Sequence, residues 1–142
     1  AHPAFNCKIG DYLEFSEEET LLTERIDHDS ILIEEKFPVA LDGKKLIITK
    51  DLFNDDALIL SNYKSKSITL KSNEHNRAVK FNFDSPVLGI WAKPGSPYVC
   101  IEPWWGINDN YNKKSDLSEK RGIMALNANE IKTFTWSVEI CE

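Results

Sequence analysis

Residues 87–109 read VLGIWAKPGSPYVCIEPWWGIND and predict two strands joined by a turn and followed by an aromatic loop. The turn lies at residues 93–97, where two prolines and a glycine interrupt regular structure. After this turn, Val99 and Ile101 alternate with the neighbouring residues up to Glu102. Alternation of this kind is typical of a strand with one buried face. The stretch therefore predicts a β-hairpin that ends on a carboxylate.

Two indoles follow that carboxylate almost at once and indicate a sugar site. Trp104 and Trp105 lie within three residues of Glu102, and Trp91 ends the preceding strand. Sugar rings have apolar C–H faces that stack on aromatic rings, and their hydroxyls bind carboxylates. Ordinary packing is the alternative for each of the three tryptophans.

Period-2 alternation recurs along the rest of the chain. It is clearest in residues 131–140, where Phe134, Trp136, Val138 and Ile140 alternate with polar residues, so Trp136 is expected in the core. About ten short strands separated by turn signals predict an all-β fold, an antiparallel β-sandwich.

Residues 103–128 form a connection that is long for a compact β domain. Loops of this length are commonly functional or disordered, and the aromatic content favours an ordered binding loop. A short helix is expected at residues 116–121, with Ser115 or Asp116 as its N-cap and Gly122 at its end.

Composition narrows the classes of partner. The 142 residues suffice for one domain with a core, and 17 basic against 23 acidic residues give a net charge of −6. Without a basic block, nucleic acid and an anionic membrane are poor partners, and no apolar run is long enough to span a bilayer.

The chain has three cysteines, Cys7, Cys100 and Cys141, an odd number without CxxC spacing. Neither a disulfide framework nor a metal site is indicated, and the cytoplasm is the predicted location.

Three residues are candidates for proton transfer or sugar binding. Glu102 is the leading one, since a carboxylate ionised at neutral pH can act as a general base; the alternative is a solvated strand-end acid. His2 can supply the matching acid, and a terminal histidine without a role is the alternative. Asp55 precedes a short apolar strand and is followed by Asp56, so a solvated turn competes with a binding role.

Five segments, taken in order, resemble the aldose 1-epimerase, or galactose mutarotase-like, family, and most of all its bacterial branch associated with lactose-operon genes. The segments are HPAFN at 2–6, DDALI at 55–59, LGIWAKPG at 88–95, CIEPW at 100–104 and KRGI at 120–123. The resemblance spans nearly the whole chain, and five motifs in the right order make it specific.

The resemblance implies a large antiparallel β-sandwich, of which residues 1–142 would be the C-terminal part of a single domain, about half of the whole fold. It implies mutarotation of an aldohexose, a small-molecule sugar, without a metal or organic cofactor. Glu102 would take the proton of the anomeric hydroxyl, and His2 would protonate the ring oxygen. Asp55 would hold sugar hydroxyls, the register between it and Asp56 being open. The substrate-binding set implied in this way is Asn6, Asp55, Trp91, Trp104 and Trp105.

In that family a second histidine and an arginine lie before the position of His2. The chain alone is therefore expected to be inactive, and to pair with the missing N-terminal half or with a second copy that covers its sheet edges. A carbohydrate-binding β-sandwich without catalysis is the runner-up hypothesis, and a structural or assembly module is the third. Whether the sugar is phosphorylated stays open, since surface charge explains Lys64, Lys66, Arg77 and Lys93 equally well.

Overall fold

The computed structural model describes residues 1–112 and 116–142. Within these ranges the regular structure consists of eleven β-strands and one 3-10 helix. The strands are β1 (Ala4–Asn6), β2 (Tyr12–Phe15), β3 (Leu22–Glu24), β4 (Phe37–Pro38), β5 (Lys45–Ile47), β6 (Leu58–Leu60), β7 (Ser67–Lys71), β8 (Ala78–Phe83), β9 (Val87–Trp91), β10 (Tyr98–Trp104) and β11 (Trp136–Cys141).

The strands form two antiparallel sheets that pack face to face. Sheet A has the order β1-β10-β9-β6-β3-β4 and sheet B the order β11-β8-β7-β2-β5. Alternate residues of both sheets meet in one buried apolar cluster, which includes Leu13, Phe15, Ile68, Phe81, Leu88, Ile90, Val99 and Ile101. The predicted all-β antiparallel fold is thereby confirmed.

The hairpin predicted at residues 87–109 is present as β9 and β10. The turn between these strands is closed by a hydrogen bond from the Ser96 amide to the Lys93 carbonyl, and Gly95 has a φ of +79°. β10 continues to Trp104, two residues beyond the expected end, so it includes Pro103. The proline is tolerated because β1 ends its pairing with β10 at the Ala4–Cys100 pair, so the N–H that proline lacks leaves no acceptor on β1 without a donor.

The last strand differs from its prediction. β11 begins only at Trp136 and pairs with β8 at the edge of sheet B. Its apolar side stays largely open: the exposed fractions of Trp136 and Ile140 are 40% and 75%. The prediction that Trp136 lies in the core of this chain is therefore wrong. Alternation reports which side of a strand is apolar, and here the described residues place no second layer over that side.

The helical segment is shorter than predicted. Leu117–Glu119 forms a single 3-10 turn, and the Asp116 carboxylate accepts a hydrogen bond from the Ser118 amide at 2.9 Å as its N-cap. Gly122 follows with a φ of +77°. The alternative cap, Ser115, lies outside the described residues. No helix in the described ranges is long and apolar enough to cross a membrane.

Candidate functional site

The pairing of β1 with β10 brings the two proposed proton-transfer residues together. The Ile101 amide donates to the Pro3 carbonyl at 3.1 Å, which lays the segment before β1 along β10. As a result, His2 Nδ1 lies 3.0 Å from Glu102 Oε2. The glutamate side chain is 7% exposed and the histidine side chain 63% exposed, so the imidazole covers a nearly buried carboxylate. Two residues that are 100 positions apart in the sequence thus form one site.

Trp104 contacts the same carboxylate oxygen from the other direction. Its Nε1 donates a hydrogen bond to Glu102 Oε2 at 3.1 Å. The indole lies against Gly89, the residue that pairs with Glu102 on β9. A Cβ at that position would stand only 2.8 Å and 2.9 Å from two ring carbons of Trp104. Gly89 is therefore required for the close approach of the indole.

The second carboxylate oxygen is available to a ligand. Within the described residues, no side chain donates a hydrogen bond to Glu102 Oε1, and Arg25 Nε is the one buried side-chain polar atom without a partner. Among the described residues, Oε1 is therefore the carboxylate oxygen without a donor. On His2, Nδ1 faces the carboxylate, which leaves Nε2 to face a ligand. The pair thus presents one carboxylate oxygen and one imidazole nitrogen outward.

An aromatic wall stands beside this pair. Trp91 pairs with Cys100 on β10, so its side chain shares the outer face of sheet A with Glu102. Its ring centroid is 6.4 Å from that of His2 and 6.4 Å from that of Tyr98. Tyr98 was not predicted as a site residue, although the alternation of β10 places it on the same face. Trp105, by contrast, packs on Phe134 with ring centroids 4.8 Å apart.

The same face could hold a metal ion through His2, Cys100 and Glu102, whose ligand atoms lie within 4.8 Å of one another. Burial, and after it the charge of Glu102, raises the pKa of the Cys100 thiol. Metals bind the thiolate form, which a raised pKa disfavours. The arrangement is accordingly better suited to proton exchange between His2 and Glu102 than to metal coordination.

The other predicted sugar-binding residues lie elsewhere. Asp55 forms an ion pair with Arg25 at 2.6 Å and borders a separate surface depression with Phe37. Asn6 pairs with Tyr98, at the opposite end of β10 from Glu102. Among the described residues, the structure does not bring Asp55 or Asn6 into contact with the His2–Glu102 pair.

An ion pair between a buried glutamate and a partly exposed arginine anchors the loop that follows the aromatic residues. Glu24 on β3 is buried and is bound by Arg121, whose Nη2 donates to Oε1 at 2.8 Å, while Ser61 and Lys36 lie beside it. The hydrogen bonds from Arg121 hold the pKa of the Glu24 carboxyl at about 2, helped by Ser61 and Lys36 and opposed by burial. Sequence reasoning missed this pair, because nothing in the sequence joins residue 24 to residue 121.

A small apolar cluster holds the same loop onto sheet A. Leu32, Ile59, Val87 and Ile107 are buried together, and Trp104 packs against them. Glu102, Gly89, Ile59 and Glu24 follow one another in register across β10, β9, β6 and β3. The outer face of sheet A therefore carries the acid–base pair at one end and the ion pair at the other.

Comparison with known proteins supports the predicted resemblance. The plasmid and chromosomal forms of protein LacX from Lactococcus lactis subsp. lactis are 34% identical to this chain over 131 residues, 84% of the chain and 44% of their own length. A galactose mutarotase-like protein from Lactobacillus casei ATCC 334 superposes with a TM-score of 0.85 and 25% identity, covering 98% of this chain and 51% of that structure. A galactose mutarotase related enzyme from Lactobacillus acidophilus gives a TM-score of 0.75 and 28% identity, covering 98% and 48%. No family model matches the chain.

The chain has the fold of galactose mutarotase-like proteins. In sequence it is related to LacX, which it matches in the C-terminal portion. It spans less than half the length of the curated relatives it matches and about half that of the solved structures.

Proposed function

We propose that the chain carries the acid–base pair of an aldose 1-epimerase acting on an aldohexose. The observation that carries the proposal is the 3.0 Å contact between His2 Nδ1 and Glu102 Oε2 on a galactose mutarotase-like fold. A carboxylate and an imidazole in contact can exchange acid and base roles at neutral pH. The aromatic wall of Trp91 and Tyr98 adds a surface on which a sugar ring can stack.

The reaction needs two proton transfers in each direction. On opening, Glu102 Oε1 takes the proton of the anomeric hydroxyl while His2 Nε2 protonates the ring oxygen, and the bond from C1 to the ring oxygen breaks. The C1–C2 bond then rotates. On closure, His2 takes back the proton from the former ring oxygen and Glu102 returns its proton to the carbonyl oxygen, so no co-reactant is consumed. Each transfer contributes roughly 10²–10⁴-fold.

The remaining assignments of substrate-binding residues rest on the family resemblance. Asn6, Asp55 and Trp105 are proposed to contact the sugar on that ground alone, since the described residues show them paired with other partners. A cytoplasmic location is likewise proposed, and the three free cysteines of the chain fit a reducing compartment.

Polarimetry tests the proposal. The optical rotation of freshly dissolved α-D-galactose or α-D-glucose is followed with the chain alone and with the chain mixed with the complementary portion of LacX. Glu102→Gln is expected to slow catalysed relaxation by roughly 10²–10⁴-fold, because the amide cannot take up a proton. Glu18→Gln, at an exposed position, is the matched control and should relax like the wild-type protein.

Two outcomes would reject the assignment. If Glu102→Gln relaxes as fast as wild type, Glu102 is not the base. Suppose instead that sugar changes the tryptophan fluorescence of the wild-type chain, both alone and mixed with the LacX portion, but that neither sample accelerates the relaxation of either sugar. The protein is then a carbohydrate-binding β-sandwich without catalysis.

We also propose that the open apolar side of β11 is covered by polypeptide equivalent to the part of the relatives that this chain does not match. That side carries Trp136, Val138 and Ile140, and Ile131 and Phe134 precede it, all of them exposed. A contiguous apolar surface of this kind is typical of an interface. Since the relatives are about twice as long as the matched region, they contain enough further chain to supply the missing layer.

A further inference from the structure

We propose that Trp104, which packs on Gly89, positions the carboxylate of Glu102. It is not the surface on which the sugar stacks. The inference rests on the proposed function, because it gives Trp104 a role in the action of Glu102. It also replaces the expectation that Trp104 binds substrate directly.

The two oxygens of the Glu102 carboxylate have different surroundings. The indole Nε1 donates to Oε2, and His2 Nδ1 lies at 3.0 Å from the same oxygen. A hydrogen bond to an ionised acceptor is shorter and stronger than one between neutral groups, and it fixes the plane of the carboxylate. With Oε2 held from both sides, Oε1 is the oxygen turned towards a ligand. Without the indole N–H, rotation about the last side-chain bond could present either oxygen.

The indole of Trp104 is itself held by its packing. Trp104 lies on the same side of β10 as Glu102, two residues further on, and its six-membered ring covers Gly89 on the neighbouring strand. Any side chain at residue 89 would collide with the ring, since even a Cβ would stand 2.8 Å from it. The rest of the ring packs on the cluster of Leu32, Ile59, Val87 and Ile107.

Trp104 and Trp91 differ in what their rings contact. Trp104 packs on Gly89 and the apolar cluster, and its indole N–H is bound to Glu102, so both the ring and the N–H have protein partners. Trp91 is as half-buried as Trp104, but its ring neighbours are the exposed His2 and the half-buried Tyr98, and within the described residues no hydrogen bond joins it to Glu102. The stacking surface is thus assigned to Trp91, and Trp104 acts through Glu102.

A direct test uses the indole N–H signals of the chain. The chain has four tryptophans, and Trp104→Phe assigns the Trp104 signal in a ¹H–¹⁵N correlation spectrum. Glu102→Gln is expected to shift that signal upfield, because a charged acceptor is replaced by a neutral one. Glu18→Gln should leave it in place. A Trp104 signal that is unchanged in Glu102→Gln would overturn the proposal, whatever the outcome of the activity assay.

The kinetic test compares Trp104→Phe with Trp91→Phe by polarimetry. Trp104→Phe keeps an aromatic ring and removes the N–H, so we expect kcat to fall about 10- to 100-fold with KM within about twofold. Gly89→Ala, which displaces the ring, should reproduce this effect. A rise in KM at unchanged kcat for Trp104→Phe would show a stacking platform and contradict positioning. If Glu102→Gln is itself as active as wild type, the proposed function fails instead.

Discussion

At the scale of single residues, the site depends on a carboxylate whose two oxygens have different surroundings. Glu102 Oε2 is contacted by His2 and Trp104, and Oε1 is left for a ligand. The residue types of this site could be predicted from the sequence, because an acid beside aromatic residues and a histidine in a family motif are local features. The contact between His2 and Glu102 could not, since it depends on the pairing of β1 with β10.

The Glu24–Arg121 pair gives a pH-dependent prediction. The pKa of Glu24 is lowered from the ordinary 4.5 to about 2 in the folded chain, chiefly by Arg121. A lowered folded pKa means that the stabilisation is fully present above pH 4.5 and is lost as the pH falls towards 2. We expect Arg121→Met to reduce the free energy of unfolding by about 1–3 kcal/mol at pH 7 and by much less at pH 2.5.

Urea denaturation at the two pH values measures this difference. Arg77→Met, at an exposed strand start, is the control and should change stability by less than about 0.5 kcal/mol. If Arg121→Met lowers the free energy of unfolding by the same amount at both pH values, the pair does not stabilise the fold through charge.

At the scale of elements, the β9–β10 hairpin is the part that sequence patterns predict best. The KPGSP turn and the alternation after it are local, and the structure has both in the expected order. Two other features of the strands depend on the neighbouring strands in the sheet and not on local sequence. Pro103 stays in β10 because β1 is short, and Trp136 stays exposed because β11 is at a sheet edge. The length of a strand and the packing of a second layer over it depend on residues that are distant in the sequence. Local sequence patterns do not report these residues.

Gly95 provides a test of the hairpin turn. Its φ of +79° is a left-handed conformation, and a Cβ there would meet no atom within 4 Å. The cost of Gly95→Ala should then be conformational only, about 1 kcal/mol. Gly106→Ala is the matched control, because that position is also open but has no positive φ, and it should be nearly neutral. Thermal unfolding of both variants checks this, and equal effects would mean that the turn does not require glycine.

At the scale of the whole molecule, the chain matches about half the length of the solved structures while folding into two complete layers over most of its extent. The exception is β11, together with the exposed residues before it. Fold class was predictable because several strands, such as β7, β8 and β10, carry their own alternation. Alternation alone did not predict that β11 would be uncovered; only the family resemblance implied that the chain holds about half of the sandwich.

The proposed interface at β11 can be measured by titrating the chain with the complementary portion of LacX. Trp136 should become buried, which shifts tryptophan emission to the blue, and Trp136→Ser or Ile140→Ser should weaken binding by at least tenfold. Ile9→Ser, at another exposed apolar position, should bind like wild type. Self-association in light scattering without binding of the LacX portion would assign the surface to a second copy and contradict the proposal.

If His2 and Glu102 work as one acid–base unit, a double-variant cycle in the polarimetric assay will show that their contributions are not independent. His2→Gln and Glu102→Gln should each slow mutarotation by roughly 10²-fold or more. The double variant should then be no more than about threefold slower than the slower single variant, because removing either member already disables the unit. If the two losses of rate multiply in the double variant, or if either single variant has the wild-type rate, His2 and Glu102 do not act as one unit.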